Sequence, residues 1–282
     1  MPVVRQLPHS DATNGWSRVL PARQSKPSLD RDIKADWVVV GAGFAGLAAA
    51  RRLADNRPAE AIALVDAGVA GENASGRNSG FGIDLPHNVG SSLEELEGSR
   101  RFMRLARAAL DQLEGLVKRH AIDCQWSRAG KYHTAVSERG VKETLEPFGR
   151  ELDKLGEPWR FLDKAALQGE IGTGYHTAAI HTPGCVLLNP AALCRGLAES
   201  LPANVRHFEN SPVTSWENAN GVRLTTANGS VSAPRMIVCV NGLGGEFDVF
   251  KGRLLRFAAH ASLSRRLDAD EQRALGGNSE WG

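Results

Sequence analysis

Trp37 to Val40 is a short apolar run with glycine directly behind it. A run of this length, bounded by a turn former, reads as a buried strand. An alanine- and leucine-rich stretch follows from Phe44 and reads as a helix. A second apolar run, Ile62 to Val65, closes on Asp66. Strand, helix and strand in this order predict a βαβ unit. Further on, residues 100–119 carry apolar side chains at Phe102, Leu105, Ala106, Ala109, Leu113, Leu116 and Val117, a spacing that lays one stripe along a helix. Arg100, Arg101, Arg104, Arg107 and Asp111 fall mostly off that stripe and read as a wet face. Residues 130–136 read as a strand. Val141, Leu145, Phe148, Leu152 and Leu155 predict a helix ending at Gly156. Pro147 conflicts with an unbroken helix, because it has no N–H to donate, so a kink or a start near Glu146 is expected.

Asn189-Pro190 predicts a helix N-cap with proline in the first helical position. Val222, Leu224 and Thr226 alternate, Asn228-Gly229 turns, and Val231 and Ala233 answer, which predicts a β-hairpin. Met236 to Val240 reads as a buried parallel strand. Residues 1–34 are rich in Pro, Arg, Asp and Ser and lack periodicity. They read as an extended arm lying over the folded body.

The turn after the first strand carries the chemistry. Gly41-Ala42-Gly43-Phe44-Ala45-Gly46 fits G-x-G-x-x-G, and Asp66 follows at the expected interval of about 20 residues. The first glycine allows a sharp turn, the second lets backbone approach a pyrophosphate, and the third lets the helix pack close to the strand. The helix N-terminus offers free N–H groups and a positive dipole end to phosphate. The acid after the second strand suits an unphosphorylated ribose, as in FAD or NAD. The motif does not separate these two. Residues 68–82 are too glycine-rich for a helix and too polar for a core strand. They read either as a flexible surface loop or as a backbone-rich cradle along the cofactor, where Arg77 would add charge beside a pyrophosphate.

Composition narrows the class. The 282 residues are 42% hydrophobic and 23% charged, with net charge +2, which is ordinary for a globular protein and gives no electrostatic case for nucleic acid. Cys124, Cys185, Cys194 and Cys239 have no C-x-x-C spacing and read as reduced packing residues. The histidines are scattered, with no H-x-x-x-H pair and no metal-ligand cluster. No apolar run reaches membrane-span length and no signal core opens the chain, so the expected compartment is the cytoplasm.

Two stretches, VVVGAGFAGLAAARRLA and ALVDAGVAGENASGRNSGF, resemble the FAD-dependent amine and amino-acid oxidoreductases. That family includes D-amino acid dehydrogenase, glycine and sarcosine oxidases and gamma-glutamylputrescine oxidoreductase. The stretch Ala74 to Gly80 is most similar to the last of these. A second block, residues 187–242, repeats the family's order of helix, strand, hairpin, strand and Asn-Gly. The resemblance spans roughly residues 15–245 and is weakest between 85 and 180.

The resemblance implies an α/β fold, with a Rossmann-like FAD-binding domain interleaved with a mixed-sheet substrate domain. The expected division is an arm at 1–34, FAD-binding segments at 35–120 and 181–245, and substrate-domain segments at 121–180 and 246–282. It implies FAD held by Gly41, Ala42, Gly43, Phe44, Ala45, Gly46, Asp66 and Ala67, then by Ser75, Gly76, Arg77, Asn78, Ser79 and Gly80. Val213 matches the position whose backbone contacts adenine, and Asn241 and Gly242 match the turn that closes over the cofactor. The implied activity is oxidation of a C–N bond in a small amine or amino acid by hydride transfer to flavin. No catalytic acid or base is assigned; Arg253, Arg256 and His260 read as a substrate-carboxylate partner or a solvated strand edge. Family members run on for roughly another hundred residues, so the chain reads as C-terminally truncated. Phe247 to Gly282 would then begin a substrate-domain sheet, and weak activity and marginal stability are expected. The alternatives are a flavin-binding remnant without turnover and an NAD-dependent dehydrogenase.

Overall fold

The structure is a computed structural model that describes residues 2–8, 11, 13–86, 93–250, 252–257, 261–278 and 281. His87, the connector after it and His260 lie outside the described residues. In chain order the strands are β1 (Ile33–Lys34), β2 (Trp37–Val40), β3 (Ile62–Val65), β4 (Phe81–Gly82), β5 (Lys131–Ala135), β6 (Arg160–Asp163), β7 (Ala178–Thr182), β8 (Val186–Leu187), β9 (Val205–Phe208), β10 (Ser215–Asn218), β11 (Val222–Thr225), β12 (Ser230–Ala233) and β13 (Arg235–Val238). The helices are α1 (Gly15–Arg18), α2 (Phe44–Asn56), α3 (Leu93–Arg119), α4 (Glu138–Gly140), α5 (Glu146–Leu155), α6 (Lys164–Ile171), α7 (Pro190–Glu199) and α8 (Ala269–Leu275). The chain divides into two compact units: residues 1–79, 120–124 and 189–262, and residues 80–119, 125–188 and 263–282.

The first unit is built on a parallel sheet in the order β13-β2-β3-β9. Every residue of β3 and three of the four in β2 are buried, as a sheet covered on both faces requires. Alternate residues point to opposite faces. Val38, Val40, Ala63 and Val65 join a core with Val222, Leu224, Val231 and Ala233 of the β11–β12 hairpin. The opposite face is covered by α2, whose buried residues Gly46, Leu47, Ala50 and Ala54 recur at helical spacing. Each fully buried Val, Leu or Ile contributes about 1.5–3 kcal/mol. The hairpin belongs to a mixed sheet, β1-β12-β11-β10, with β1 parallel to β12 and the other pairs antiparallel. Its loop spans residues 226–229, and Gly229 is needed there for a close approach: a Cβ would sit 2.4 Å from the Arg31 carbonyl oxygen. Asn189 caps α7, accepting from the Ala192 N–H at 3.0 Å, with Pro190 in the first turn. β13 is an edge strand and only half-buried, unlike the fully buried strand expected from its apolar run.

The second unit holds an antiparallel sheet, β5-β7-β6, and a small pair, β4-β8. The helix over 93–119 starts about two turns earlier than the expected stripe, and its phase differs. Leu96, Met103, Leu110 and Val117 are buried, whereas Phe102 and Leu105 are 47% and 64% exposed. Arg107, expected on the wet face, pairs with Asp84 and Glu157. Apolar residues sit on both sides of this helix, so their spacing alone does not select the buried one. Pro147 lies in the first turn of α5, behind a π-helical turn at Val141–Leu145. The missing proline N–H accounts for the break. Gly156 ends α5 at φ +73°.

The units differ from the expected division. Residues 80–119 and 181–188 belong to the second unit, because β4 pairs with β8 and Met103 packs with Leu85 and Ile180. Residues 246–262 belong to the first, where Phe247 is a core residue. No strand occurs between 247 and 282 among the described residues, so the start of a further sheet expected there is not present.

Candidate cofactor site

The site is assembled in the first unit, where β2 turns into α2. Gly41 has φ +99°, and a Cβ on it would lie 2.4 Å from the Cys239 carbonyl oxygen. A Cβ on Gly46 would lie 1.7 Å from the Gly41 carbonyl oxygen, so α2 passes this close only because residue 46 is glycine. Gly43 precedes α2 in extended conformation, with Ser75 Oγ 2.6 Å from where its Cβ would be. Ser75 Oγ accepts from the Phe44 N–H at 3.0 Å. The other N–H groups of the first turn have no acceptor inside the helix and remain for a ligand.

Asp66, at the end of β3, is half-buried. Its Oδ2 accepts from the Ala42 N–H at 2.5 Å and its Oδ1 from the Gly68 N–H at 2.7 Å. The carboxylate therefore ties the glycine turn to the next loop. Each oxygen keeps a second lone-pair direction, which suits a pair of ribose hydroxyls.

The loop after Asp66 is a folded object. Glu72 N–H donates to the Val69 carbonyl at 3.1 Å, Gly76 N–H to the Asn73 carbonyl at 2.8 Å, and Asn78 Nδ2 to the Ser75 carbonyl at 2.8 Å. Gly71 takes φ +89°, and a Cβ on Gly76 would meet the Gly71 carbonyl oxygen at 1.8 Å. The segment is thus bonded within itself, as the cradle reading requires.

A cavity of about 990 Å³ lies against these elements, at the top of the usual range of about 300–1,000 Å³ for ligand pockets. Gly41, Ala42, Gly43, Ala45, Asp66, Ala67, Ser75, Val213, Asn241 and Gly242 line it. Phe44 and Gly46 sit behind that wall, in the helix itself. Gly76, Asn78 and Ser79 also stand off the wall, and Gly80 falls in the second unit. Arg77 corrects an expectation: its guanidinium donates to the Glu72 carbonyl at 2.7 Å and to Asp11 at 2.9 Å, and it does not line the cavity. Arg253 and Arg256 are exposed, with Arg256 donating to Gln6.

Residues 36–274 match the profile of a family described as DAO, FAD dependent oxidoreductase. The chain belongs to this FAD-dependent oxidoreductase family. Membership decides between the two dinucleotides in favour of FAD and sets aside the NAD-dependent dehydrogenase. The probable oxidoreductase OrdL of Rhizobium meliloti (strain 1021) is 28% identical over 251 residues, which cover 86% of this chain and 58% of the relative. Gamma-glutamylputrescine oxidoreductase of Escherichia coli (strain K12) is 28% identical over 229 residues, covering 78% and 52%. The chain thus spans about half the length of the curated relatives it matches. The fold is shared with glycine oxidase from Geobacillus kaustophilus (TM-score 0.64, 22% identity, 76% of this chain and 58% of that one). It is also shared with L-amino acid deaminase from Proteus myxofaciens (TM-score 0.58, 18% identity, 82% and 52%).

The residues present fit FAD. The glycine turn leaves room that any Cβ would fill, the first turn of α2 has donors to spare, and the acid beside it keeps acceptor capacity. Other parts of the site carry no local sequence signal. Ser75 meets Phe44 across 31 positions. Fully buried Glu209 accepts from the Ala70 N–H at 2.8 Å, from the Lys26 N–H at 2.7 Å and from the Arg23 guanidinium. Burial alone would raise the Glu209 pKa; the Arg23 guanidinium and the two N–H groups more than offset it and hold the carboxyl below its ordinary range. Burial pushes the Cys194 thiol, packed behind the glycine turn, up to about 12. Among the described residues no group of acids, histidines and cysteines is placed to hold a metal ion, and no helix is long and apolar enough to cross a membrane.

Proposed function

We propose that the first unit holds FAD with its pyrophosphate over Gly41 to Gly43 and the start of α2. In this reading Asp66 holds the adenosine ribose, Val213 flanks the adenine, and Ser75, Asn241 and Gly242 lie along the cofactor. The observation that carries the proposal is the glycine turn, where Gly41, Gly43 and Gly46 each exclude a Cβ and the first two line one cavity. Bound there, FAD supplies a two-electron acceptor for hydride. The chain's own part is to bind and orient. Backbone N–H groups face the phosphates, and the Asp66 carboxylate accepts from the ribose.

For the whole protein we infer oxidation of a C–N bond in a small amine or amino acid. The printed activities of relatives support this class: one acts on gamma-glutamylputrescine, and fold neighbours are a glycine oxidase and an L-amino acid deaminase. Free cysteines suit a reducing compartment, in line with the cytoplasm. A second reading, flavin binding without turnover, draws support from exposed apolar side chains at Phe250, Leu254, Leu255 and Phe257.

Anaerobic addition of amines and amino acids to the FAD-loaded 282-residue chain tests both. Bleaching of the flavin band by a member of this class is the expected result. Bound flavin that none of them bleaches favours the second reading, and a chain that binds no FAD refutes both.

A further inference from the structure

The loop between Asp66 and Ser79 has few apolar side chains to anchor it, yet it presents Ala67, Val69, Ala70, Gly71 and Ser75 to the cavity. Its own turns fix its local shape. Its position is fixed from behind, by the N-terminal arm. Asn14 is 4% exposed, and its Nδ2 donates to the Gly71 carbonyl at 2.8 Å. Trp16 Nε1 donates to the Asn78 carbonyl at 2.9 Å, and Asp11 accepts from Arg77. About ten residues on, the arm reaches the residue next to Gly71. Glu209 takes the Ala70 N–H of the loop on one oxygen and the Lys26 N–H of the arm on the other, while Arg23 closes the ion pair. Leu29 N–H then donates to Ser211 Oγ at 2.8 Å.

We propose that Asp11 and arm residues 13–29 are a working part of the cofactor site: a clamp that holds the loop in its cavity-facing shape, with Asn14 as the positioning residue at Gly71 and Glu209 as the fastener at Ala70. This rests on the reading that the cavity takes FAD. The physical reason lies in Ser75. Its hydroxyl must stay 3.0 Å from the Phe44 N–H, beside the phosphate-binding turn. A loop free to swing from Gly71 carries Ser75 and the Ala67–Ala70 wall away with it, and the cofactor then has to supply the ordering cost on binding.

Asn14 offers a selective test, because its Oδ1 also caps α1 by accepting from the Trp16 N–H. Asn14→Ser keeps a capping oxygen but is too short for Gly71. Asn14→Asp keeps cap and shape but sets an acceptor against a carbonyl. In the full 282-residue chain, both variants should weaken FAD about tenfold, the scale of one lost buried hydrogen bond. Amide exchange across residues 68–76 of the apo chain should quicken. The apo melting temperature should hold while the FAD-dependent rise in it shrinks. Trp16→Phe, which removes the side-chain bond to Asn78 and keeps an aromatic ring, should show the same pattern more weakly, and it serves if the Asn14 variants fold poorly. FAD affinity within twofold of the parent chain, or apo and FAD-dependent melting falling in parallel, overturns the clamp. Asp66→Ala separates the two ideas. If it loses FAD while the Asn14 variants do not, the clamp fails and the cofactor site stands. If FAD binds neither the parent chain nor any variant, the site reading fails and takes the clamp with it.

Discussion

Two stretches of the first unit border the same cavity and invert what their compositions suggest. The loop from Ala67 to Asn78 is polar and glycine-rich, the usual makeup of a mobile surface segment, yet its turns are bonded internally and Ala70, Gly71 and Asn78 are tied to residues distant in sequence. The stretch from Val249 to Phe257 carries five large apolar side chains among three basic ones, yet Phe250 is 62% exposed and Phe257 87%. Order at this site follows from available partners rather than from hydrophobicity. Buried carbonyls and N–H groups that must be paired hold the loop, whereas apolar side chains without a facing surface contribute little.

The comparison is easiest to break at the Arg23–Glu209 pair. Arg23→Met leaves a carboxylate buried beside the loop without its cation, and the chain should lose about 3 kcal/mol in urea unfolding, the usual scale for one orphaned partner. A smaller loss is expected from Gly46→Ala, about 1–3 kcal/mol, because the new Cβ meets the Gly41 carbonyl and the backbone has to shift. Gly98→Ala, in open space on α3, should instead be neutral or stabilise by about 0.5–1 kcal/mol. Equal effects at the two glycines would show that the close approach is not tight.

Acid should loosen the clamp in a definite direction. The Glu209 carboxyl is held below its ordinary value of 4.5, so its stabilising contribution is complete above that pH and lost as pH falls through the depressed value. Unfolding midpoints of the parent chain should therefore drop more steeply below about pH 4.5 than those of Glu209→Gln. Parallel curves would remove Glu209 from the account. The smallest effect belongs to the other stretch. Leu255→Ser and Phe257→Ser should change stability by less than about 0.5 kcal/mol, while sedimentation shows less self-association, as exposed apolar patches predict.

Much of the frame was readable along the chain because its determinants are local. Trp37 to Asp66 carries strand, glycine turn, helix, strand and acid within one βαβ unit, and Asn189-Pro190, Gly156 and the β11–β12 hairpin announce themselves within a few residues. The phase of α3 was not readable. Its buried face pairs Met103 and Leu110 with polar Ser99 and Arg107, while Phe102 and Leu105 stay outside. Arg77 was misplaced because its partner, Asp11, is 66 residues away in the arm. The Arg23–Glu209 pair spans 186 positions and leaves no pattern at all. Legibility thus ends where side chains answer residues far off in sequence.

The central claim is that the glycine turn and Asp66 together hold FAD, and a titration of the apo chain with FAD, followed by quenching of flavin fluorescence, tests it most directly. The account predicts saturation at one FAD per chain. It also predicts weakening by about 1.5–3 kcal/mol, or roughly ten- to a hundredfold, in Asp66→Ala, the scale for hydrogen bonds to a charged group. Absence of saturable binding by the parent chain, or an unchanged affinity in Asp66→Ala, would contradict it.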